Sequence, residues 1–334
     1  MKTIRWGILG PGRISGTFAE ALREAAGASL VAVGSRDLGR ATAFAAAFGA
    51  TNVYDSYEAL VTDPMVDAIY IGTPHTYHCE HALLCLRGGK HVLCEKPIAV
   101  NAVQAGRMFS EARSAGLVLM EAMWTRFLPA VIRARELVEA GMIGAVRTIV
   151  ADFGFRAEFD PRSRLFDPDL GGGSLLDLGI YPLNLAFMIG GAPLEIHATA
   201  ILGATGVDEQ CAILLRHQGG VLSILSASLC ADTPREATIF GSEGSITLCR
   251  PWWGATRIVL RPRDGREETM DLPGRGGGYA HEAEAFMDLI RTGTMESDIM
   301  PASESLAIIG TMDEIRERWG MTYPCESSRR GTEA

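Results

Sequence analysis

The chain has 334 residues, too many for one ordinary hydrophobic core, so two domains are expected. Hydrophobic residues make up 47% and charged residues 21%, a globular composition that excludes disordered and fibrous classes. A net charge of −9 argues against nucleic acid as the main partner, since phosphate binding needs a basic surface.

The first third alternates short apolar runs with amphipathic stretches. The runs are Trp6–Leu9, Leu30–Val33, Ala68–Ile71, His91–Cys94 and Leu117–Met120; between them lie Thr17–Ala26, Ala41–Phe48, Glu80–Leu86 and Ala102–Ala115. Continuous apolar strands spaced by helices predict βαβ units and a doubly wound parallel sheet of the Rossmann kind, over residues 1–125. After about residue 125 the rhythm changes. A helix (Ala130–Ala140), a strand (Ala145–Phe155) and a helical run opened by three glycines (Ser174–Ile189) come first. Strand-like segments then follow closely from Leu194 to Leu260, too near one another for crossover helices, so a large, mostly antiparallel open sheet is expected. Helices at Glu282–Arg291 and Ser303–Arg318 close an α+β domain over 126–325, and the polar stretch 326–334 is expected to fray.

The seven cysteines (79, 85, 94, 211, 230, 249, 325) are scattered and form no C-x-x-C pair. They fit reduced thiols, with neither a disulfide framework nor a zinc site. The start MKTIRWGILG carries no signal-peptide pattern and no run of about 18 apolar residues occurs, so no membrane span and a cytoplasmic location are expected.

The first strand leads into Gly10-Pro-Gly12-Arg13-Ile14-Ser15 at the start of a helix. A dinucleotide turn needs that setting: glycines admit the pyrophosphate to the backbone, and the helix start offers N–H donors. Ser15 stands where a third glycine or alanine is usual and is small enough for close packing. The second strand ends Val33-Gly34-Ser35-Arg36-Asp37, with Arg40 one turn on. No carboxylate stands at the position that would accept a ribose 2′-hydroxyl; a hydroxyl and guanidinium there suit a 2′-phosphate, which favours NADP(H) over NAD(H). The plainer alternative is a solvated arginine, with Asp37 capping the next helix.

Further on stand Thr73-Pro74-His75-Thr-Tyr-His78 and Gly88-Gly-Lys-His-Val-Leu-Cys94-Glu95-Lys96-Pro97. With these motifs the chain resembles the glucose-fructose oxidoreductase / inositol dehydrogenase / rhizopine-catabolism (Gfo/Idh/MocA) oxidoreductase family along almost its whole length. The resemblance implies that Thr73, Pro74, His75, His78, Glu95 and Lys96 lie at the cofactor, that Pro97 is often cis, and that Lys96 enters the active site. His75 stands where many members have asparagine. The stretch Gly171-Gly-Gly-Ser-Leu-Leu-Asp177-Leu-Gly-Ile-Tyr181 is similar to the family's Asp-x-Gly-x-His element, with tyrosine replacing histidine. Together with Trp124 and Arg126, that tyrosine resembles a branch containing dimeric dihydrodiol dehydrogenases and NADP-dependent xylose dehydrogenases. Trp252, Trp253 and Tyr279 resemble aromatic positions lining that branch's pocket, although each would serve equally as core.

Oxidising a secondary alcohol calls for a base that takes the hydroxyl proton as the hydride leaves. A tyrosine, with an ordinary pKa near 10, needs a neighbouring positive charge, and Lys96 is the candidate to supply it. Asp177 and Tyr181, four apart, would face the same way on a helix, where Asp177 would pair with Lys96 or orient the substrate. Packing tyrosine and surface aspartate are the ordinary alternatives. His197, His217 and His281 show no ligand spacing, so no metal is expected. The expected activity is hydride exchange between NADP(H) and a small sugar, polyol or trans-dihydrodiol. The rivals are reduction of a ketose, anhydro-sugar or dicarbonyl compound by the same residues, and a non-catalytic nucleotide sensor on the same fold. Apolar alternation at Cys211–Leu215 and Val221–Leu229, with the branch's habit of associating by this sheet, implies a homodimer or larger assembly.

Overall fold

The computed structural model describes residues 1–327, and its contacts divide the chain into two compact units, each discontinuous in sequence. The first comprises Met1–Phe127 and Arg275–Leu306; the second comprises Leu128–Gly274 and the chain from Ala307 onward. The segment 275–306, which a chain-order boundary at 125/126 gives to the later domain, thus packs with the first unit. The rest of the tail, 328–334, lies outside the described residues; Glu326, its first residue, sits in the short helix Pro324–Ser327 and pairs with Arg316 at 2.8 Å.

The first unit is built on a parallel sheet of six strands: β1 (Ile4–Leu9), β2 (Ala28–Gly34), β3 (Asn52–Tyr54), β4 (Ala68–Ile71), β5 (His91–Glu95) and β6 (Leu119–Ala122), in the order β3-β2-β1-β4-β5-β6. The helices α1 (Arg13–Leu22), α2 (Leu38–Phe48), α3 (Tyr57–Val61), α4 (His78–Arg87) and α5 (Ala102–Ala115) connect them. The order reverses between β1 and β4, which opens a crevice at the carboxyl ends of the strands, where such sheets bind ligands. Asp37, Ser56 and Asn101 cap α2, α3 and α5 by accepting the amides of Arg40, Ala59 and Gln104. Trp6 explains the return of the late segment. It packs edge-on to Phe18, with ring centroids 5.2 Å apart, and against Phe286 at 5.4 Å, on the helix Tyr279–Thr292.

The second unit begins with α6 (Pro129–Glu139) and β7 (Val146–Gly154). A one-turn π-helix, Leu175–Gly179, runs directly into α7 (Ile180–Gly190). The remaining strands are β8 (Pro193–Leu202), β9 (Asp208–His217), β10 (Leu222–Ser228), β11 (Ala237–Gly241), β12 (Gly244–Leu248), β13 (Arg257–Pro262) and β14 (Glu268–Asp271). They form an eight-stranded sheet, β14-β13-β12-β11-β7-β10-β9-β8, antiparallel throughout except that β7 and β10 run parallel. Cys211, Ile213 and Leu215 of β9 point to the covered face, while Val150, Leu214, Leu222, Ile224 and Phe240 are exposed. The stretch Pro168–Gly190 is long and apolar enough, by length and composition, to cross a membrane, contrary to the expectation that no such run exists. Its most apolar window is 89% buried inside the protein, as a core helix is.

Candidate active site

The phosphate turn has the conformation the motif requires. Gly10 is left-handed at φ +86°, and a Cβ there would sit 2.7 Å from Thr73 Cγ2. Gly12 is the N-cap of α1, and no side chain caps the helix there; a Cβ at Gly12 would meet nothing nearer than 3.8 Å. A helix start with open amides and free approach fits a pyrophosphate. Ser15 donates its hydroxyl to the Gly10 carbonyl at 2.7 Å and abuts Gly72, where any Cβ would come within 2.1 Å of Ser15 Oγ. Ile14 is half-buried and Arg13 exposed beside the turn.

At the end of β2, Ser35 is buried and accepts the Asp37 amide at 3.2 Å, whereas Arg36 and Arg40 are exposed. The Arg36 guanidinium lies over the Tyr77 ring, 5.7 Å from its centre, and Tyr77 stacks on His81. A cleft of about 440 Å³ opens here between Arg36, Tyr57, Tyr77, His81 and Arg87. His81 bonds Thr73 Oγ1 at 3.0 Å, and burial pulls its pKa down to about 4, so it is neutral at pH 7.

The β5 end carries Glu95-Lys96-Pro97, and the Lys96–Pro97 peptide is cis. Glu95 accepts the Tyr70 hydroxyl and, at 3.2 Å, the Lys96 amide. His75, at the foot of α4, is buried and edge-on to His78. His78 is wholly buried, with its ring nitrogens each 2.8 Å from a carbonyl, of Pro97 and of Thr73. The ring thus lies between Thr73's loop and the proline loop, and burial lowers its pKa, favouring the neutral form, which donates to one of the two carbonyls. After β6, Trp124 stacks on Tyr279 at 4.6 Å. Arg126 is buried and bonds Glu304 at 2.5 Å and the Ile299 carbonyl at 3.1 Å, so these contacts serve to hold the late segment in the first unit.

In the second unit, Asp177 and Tyr181 are both buried. The four-residue spacing does not have its α-helical meaning, because Asp177 lies in the π-helical turn, whose i→i+5 bonding changes the angle between successive side chains. Asp177 accepts Arg164 at 2.9 Å, a partner from the preceding loop. Tyr181 packs against Phe153 at 5.3 Å and Trp253 at 6.4 Å, and Phe153 stacks face to face on Trp253. Trp252 is core: its indole N–H donates to the Asp152 carbonyl at 2.7 Å. Among the described residues there is no cluster of three His, Cys, Asp or Glu able to hold a metal.

Residues 4–123 match the family model for the oxidoreductase family with an NAD-binding Rossmann fold, and residues 131–247 match the GFO/IDH/MocA C-terminal domain. The trans-1,2-dihydrobenzene-1,2-diol dehydrogenase of Xenopus tropicalis is 36% identical over 332 residues, covering 96% of this chain and 99% of its own; that of Bos taurus is 38% identical, covering 96% and 98%. The chain belongs to the Gfo/Idh/MocA oxidoreductase family. Among solved structures, a 3-ketoreductase from Actinomadura kijaniata in complex with NADP and TDP-benzene superposes with a TM-score of 0.85 at 29% identity, covering 95% of this chain and 98% of that one. An aldose-aldose oxidoreductase from Caulobacter crescentus shares the fold, with a TM-score of 0.86 at 23% identity and coverage of 96% and 99%.

Three acidic residues of this Gfo/Idh/MocA oxidoreductase, one arginine and one aromatic had no role in the sequence reading. Glu121 is buried on β6, where it accepts the Ile98 amide at 2.9 Å and the Ser305 hydroxyl at 2.7 Å, securing the residue after the cis proline. Arg164 and Phe153 follow no motif; only the fold brings them to Asp177 and Tyr181. Asp208 and Glu282 are fully buried carboxyls, and neither oxygen of Glu282 has a hydrogen-bond partner. Burial, then the charge of Glu95, pushes Glu282 well above the usual carboxyl range.

A raised folded-state pKa means that Glu282 supports the fold fully below its unfolded pKa and loses that support as pH rises toward the folded value. Glu282→Gln should therefore gain on the parent in thermal stability as pH increases from 5 to 9, by at most about 1.4 kcal/mol per pH unit. A gap that stays constant across that range in calorimetry would show that Glu282 does not hold its proton.

Proposed function

We propose that the chain is an NADP(H)-dependent dehydrogenase acting on a secondary alcohol of a small sugar, polyol or trans-dihydrodiol, with Tyr181 as general acid/base and Lys96 as its cationic assistant. One observation carries this reading. Solved variants of the Actinomadura 3-ketoreductase replace one lysine and one tyrosine that lie 84 residues apart, and Lys96 and Tyr181 are 85 apart here. The relatives' own activity on a trans-dihydrodiol supports the substrate class.

Gly10, Gly12, Arg13 and Ile14 would hold the pyrophosphate, and Ser35, Arg36 and Arg40 the 2′-phosphate. Thr73, Pro74, His75 and Glu95 would flank the cofactor. Hydride exchange is the chemistry a bound nicotinamide supplies. Tyr181, as phenolate, takes the alcohol's hydroxyl proton while the C–O single bond becomes a carbonyl. The Lys96 ammonium stabilises that phenolate and the developing alkoxide. Asp177, steadied by Arg164, would orient the substrate hydroxyl, and Trp124, Trp253 and Tyr279 are the aromatic candidates for contact with the substrate. The 3-ketoreductase neighbour favours a second reading, in which the same residues return the proton to a ketone. Absorbance of reduced nicotinamide, followed in both directions with a panel of polyols, sugars and trans-1,2-dihydrobenzene-1,2-diol, tests both. Cofactor binding without turnover of any of them would favour a nucleotide sensor instead. The cysteine pattern supports a reducing compartment, the cytoplasm.

Tyr181→Phe keeps the ring against Phe153 and Trp253, so the fold and cofactor binding should survive while kcat falls by about 10²–10⁴, the range for a positioned proton-transfer group. Near-normal turnover in that variant would remove the tyrosine from the mechanism.

Arg36→Ala should weaken NADP binding roughly ten- to hundredfold, the value of a charge-assisted contact, and leave NAD almost unchanged. Fluorescence titration with both nucleotides decides this; tighter binding of NAD by the parent would refute the preference.

The exposed apolar face of the eight-stranded sheet supports a homodimer. Ile224→Lys, at the centre of that face, should shift the light-scattering mass at micromolar concentration from dimer to monomer, whereas a monomeric parent would rule the dimer out.

A further inference from the structure

The segment bearing Asp177 and Tyr181 begins at Gly171-Gly-Gly173, and its start is gripped from several sides. The Gly172 and Gly173 amides donate to the carbonyls of Asp167 and Leu165, both at 2.9 Å, and the Tyr323 hydroxyl donates to the Gly172 carbonyl at 2.7 Å. Asp208, the first residue of β9, adds a charge. Its Oδ2 accepts the Ser174 hydroxyl at 2.7 Å and the Leu175 amide at 2.6 Å, the latter from the first residue of the π-helical turn. Gly173, at φ +119°, leaves room for the carboxylate, since a Cβ there would lie 2.3 Å from Asp208 Oδ1.

Asp208 is completely buried and belongs to no ion pair among those seen in the second unit. The ionisable groups around it are Cys211, Tyr323 and Arg316; Arg316 favours its charge, while the carboxylate in turn raises the pKa of the Cys211 thiol and the Tyr323 phenol. A serine or asparagine would cap a helix start at less desolvation cost, so stability alone does not account for a carboxylate here. What the carboxylate adds is a stronger, shorter pair of bonds at the root of the segment that carries the reactive side chains.

We propose that Asp208 is a positioning residue for Tyr181, fixing through Ser174 and Leu175 the π-helical turn that leads directly into α7, the helix that carries Tyr181. The proposal rests on the reading of Tyr181 as acid/base, and it adds a residue that touches neither substrate nor cofactor. Burial raises the carboxyl to about pH 6, with the Ser174 and Leu175 bonds opposing. The sign follows: relative to a neutral replacement, the ionised carboxylate costs the folded state more as pH rises through about 6, even as it tightens the turn.

Hydrogen exchange of the full-length protein, corrected for intrinsic rates, tests this alongside thermal denaturation. In Asp208→Asn and Asp208→Ala at pH 7.5, peptides over 172–181 should exchange about tenfold faster, with 210–228 unchanged. In the parent, 172–181 should loosen between pH 7.5 and 5.5, and in Asp208→Asn it should not. The melting temperature of Asp208→Asn relative to the parent should rise over the same pH increase. On whichever substrate the panel yields, kcat should fall about tenfold with KM within twofold. Unchanged exchange at 172–181 in both variants, or loosening spread equally through 210–228, would overturn the proposal. If Tyr181→Phe keeps its turnover while the variants still loosen 172–181, the acid/base reading fails and the anchoring role of Asp208 stands.

Discussion

A carboxyl group removed from water must find hydrogen-bond donors or keep its proton, and that constraint shapes both units where the chemistry is placed. Glu95 takes the Tyr70 hydroxyl and the Lys96 amide; Glu121 takes Ile98 and Ser305; Asp208 takes Ser174 and Leu175. Glu282 finds none, and burial pushes its pKa well above the usual carboxyl range. These three each accept a backbone amide of a segment bearing or adjoining a reactive residue, Asp208 through Oδ2 alone. A backbone held by a buried acceptor cannot drift without exposing an unpaired charge, so the side chains above it are preorganised.

Steric exclusion does the complementary work at the cofactor end. Ser15 Oγ reaches the Gly10 carbonyl only because Gly72, on the adjacent strand end, has no side chain. The third small residue of the phosphate motif is thus set by β4 as much as by α1. In the second unit Gly173 plays the same part beneath Asp208. Both are cases in which a missing Cβ lets a polar group approach a backbone closely.

Most of the fold was legible because buried strands and amphipathic helices carry their own periodicity, and five of the six parallel strands announced themselves as apolar runs. The strand β3, Asn52–Tyr54, is three half-buried residues at the sheet edge and has no run to show. The π-helical turn was hidden because one extra residue per turn leaves composition unchanged. The return of Arg275–Leu306 to the first unit depends on Trp6 meeting Phe286, 280 residues away, which no local pattern records. The same holds at the site. Lys96, Asp177 and Tyr181 stand in motifs and could be named, but Glu121 and Asp208, which hold the neighbouring backbone, and Arg164, which holds the Asp177 carboxylate, are set by tertiary packing. Arg126 likewise has partners that no local pattern records, Glu304 and the Ile299 carbonyl.

The exposed face of the second sheet carries its own pattern, read across the strands. One row runs Arg261, Ser245, Phe240, Thr148, Leu222, Arg216 and Glu195 in direct register. Its ends are ion-paired, Arg261 with Glu267 at 2.7 Å and Arg216 with Glu195 at 2.6 Å, and its middle holds Phe240 and Leu222. The neighbouring row places Thr238, Val150, Ile224, Leu214 and His197 side by side. Exposed ion pairs add little to the stability of one chain, and a row of large apolar side chains facing water adds nothing. An apolar centre with a charged rim is instead the anatomy of a protein–protein interface, where the centre supplies affinity and the rim keeps the uncovered surface soluble and sets the register of pairing. Because the row is charged at both ends, a second copy related by a twofold axis through Ile224 would set apolar centre on apolar centre. The same operation, with the axis in the plane of the face and across the row, would lay each charged end against the partner's opposite end, so that the proposed homodimer would make this face complementary to itself.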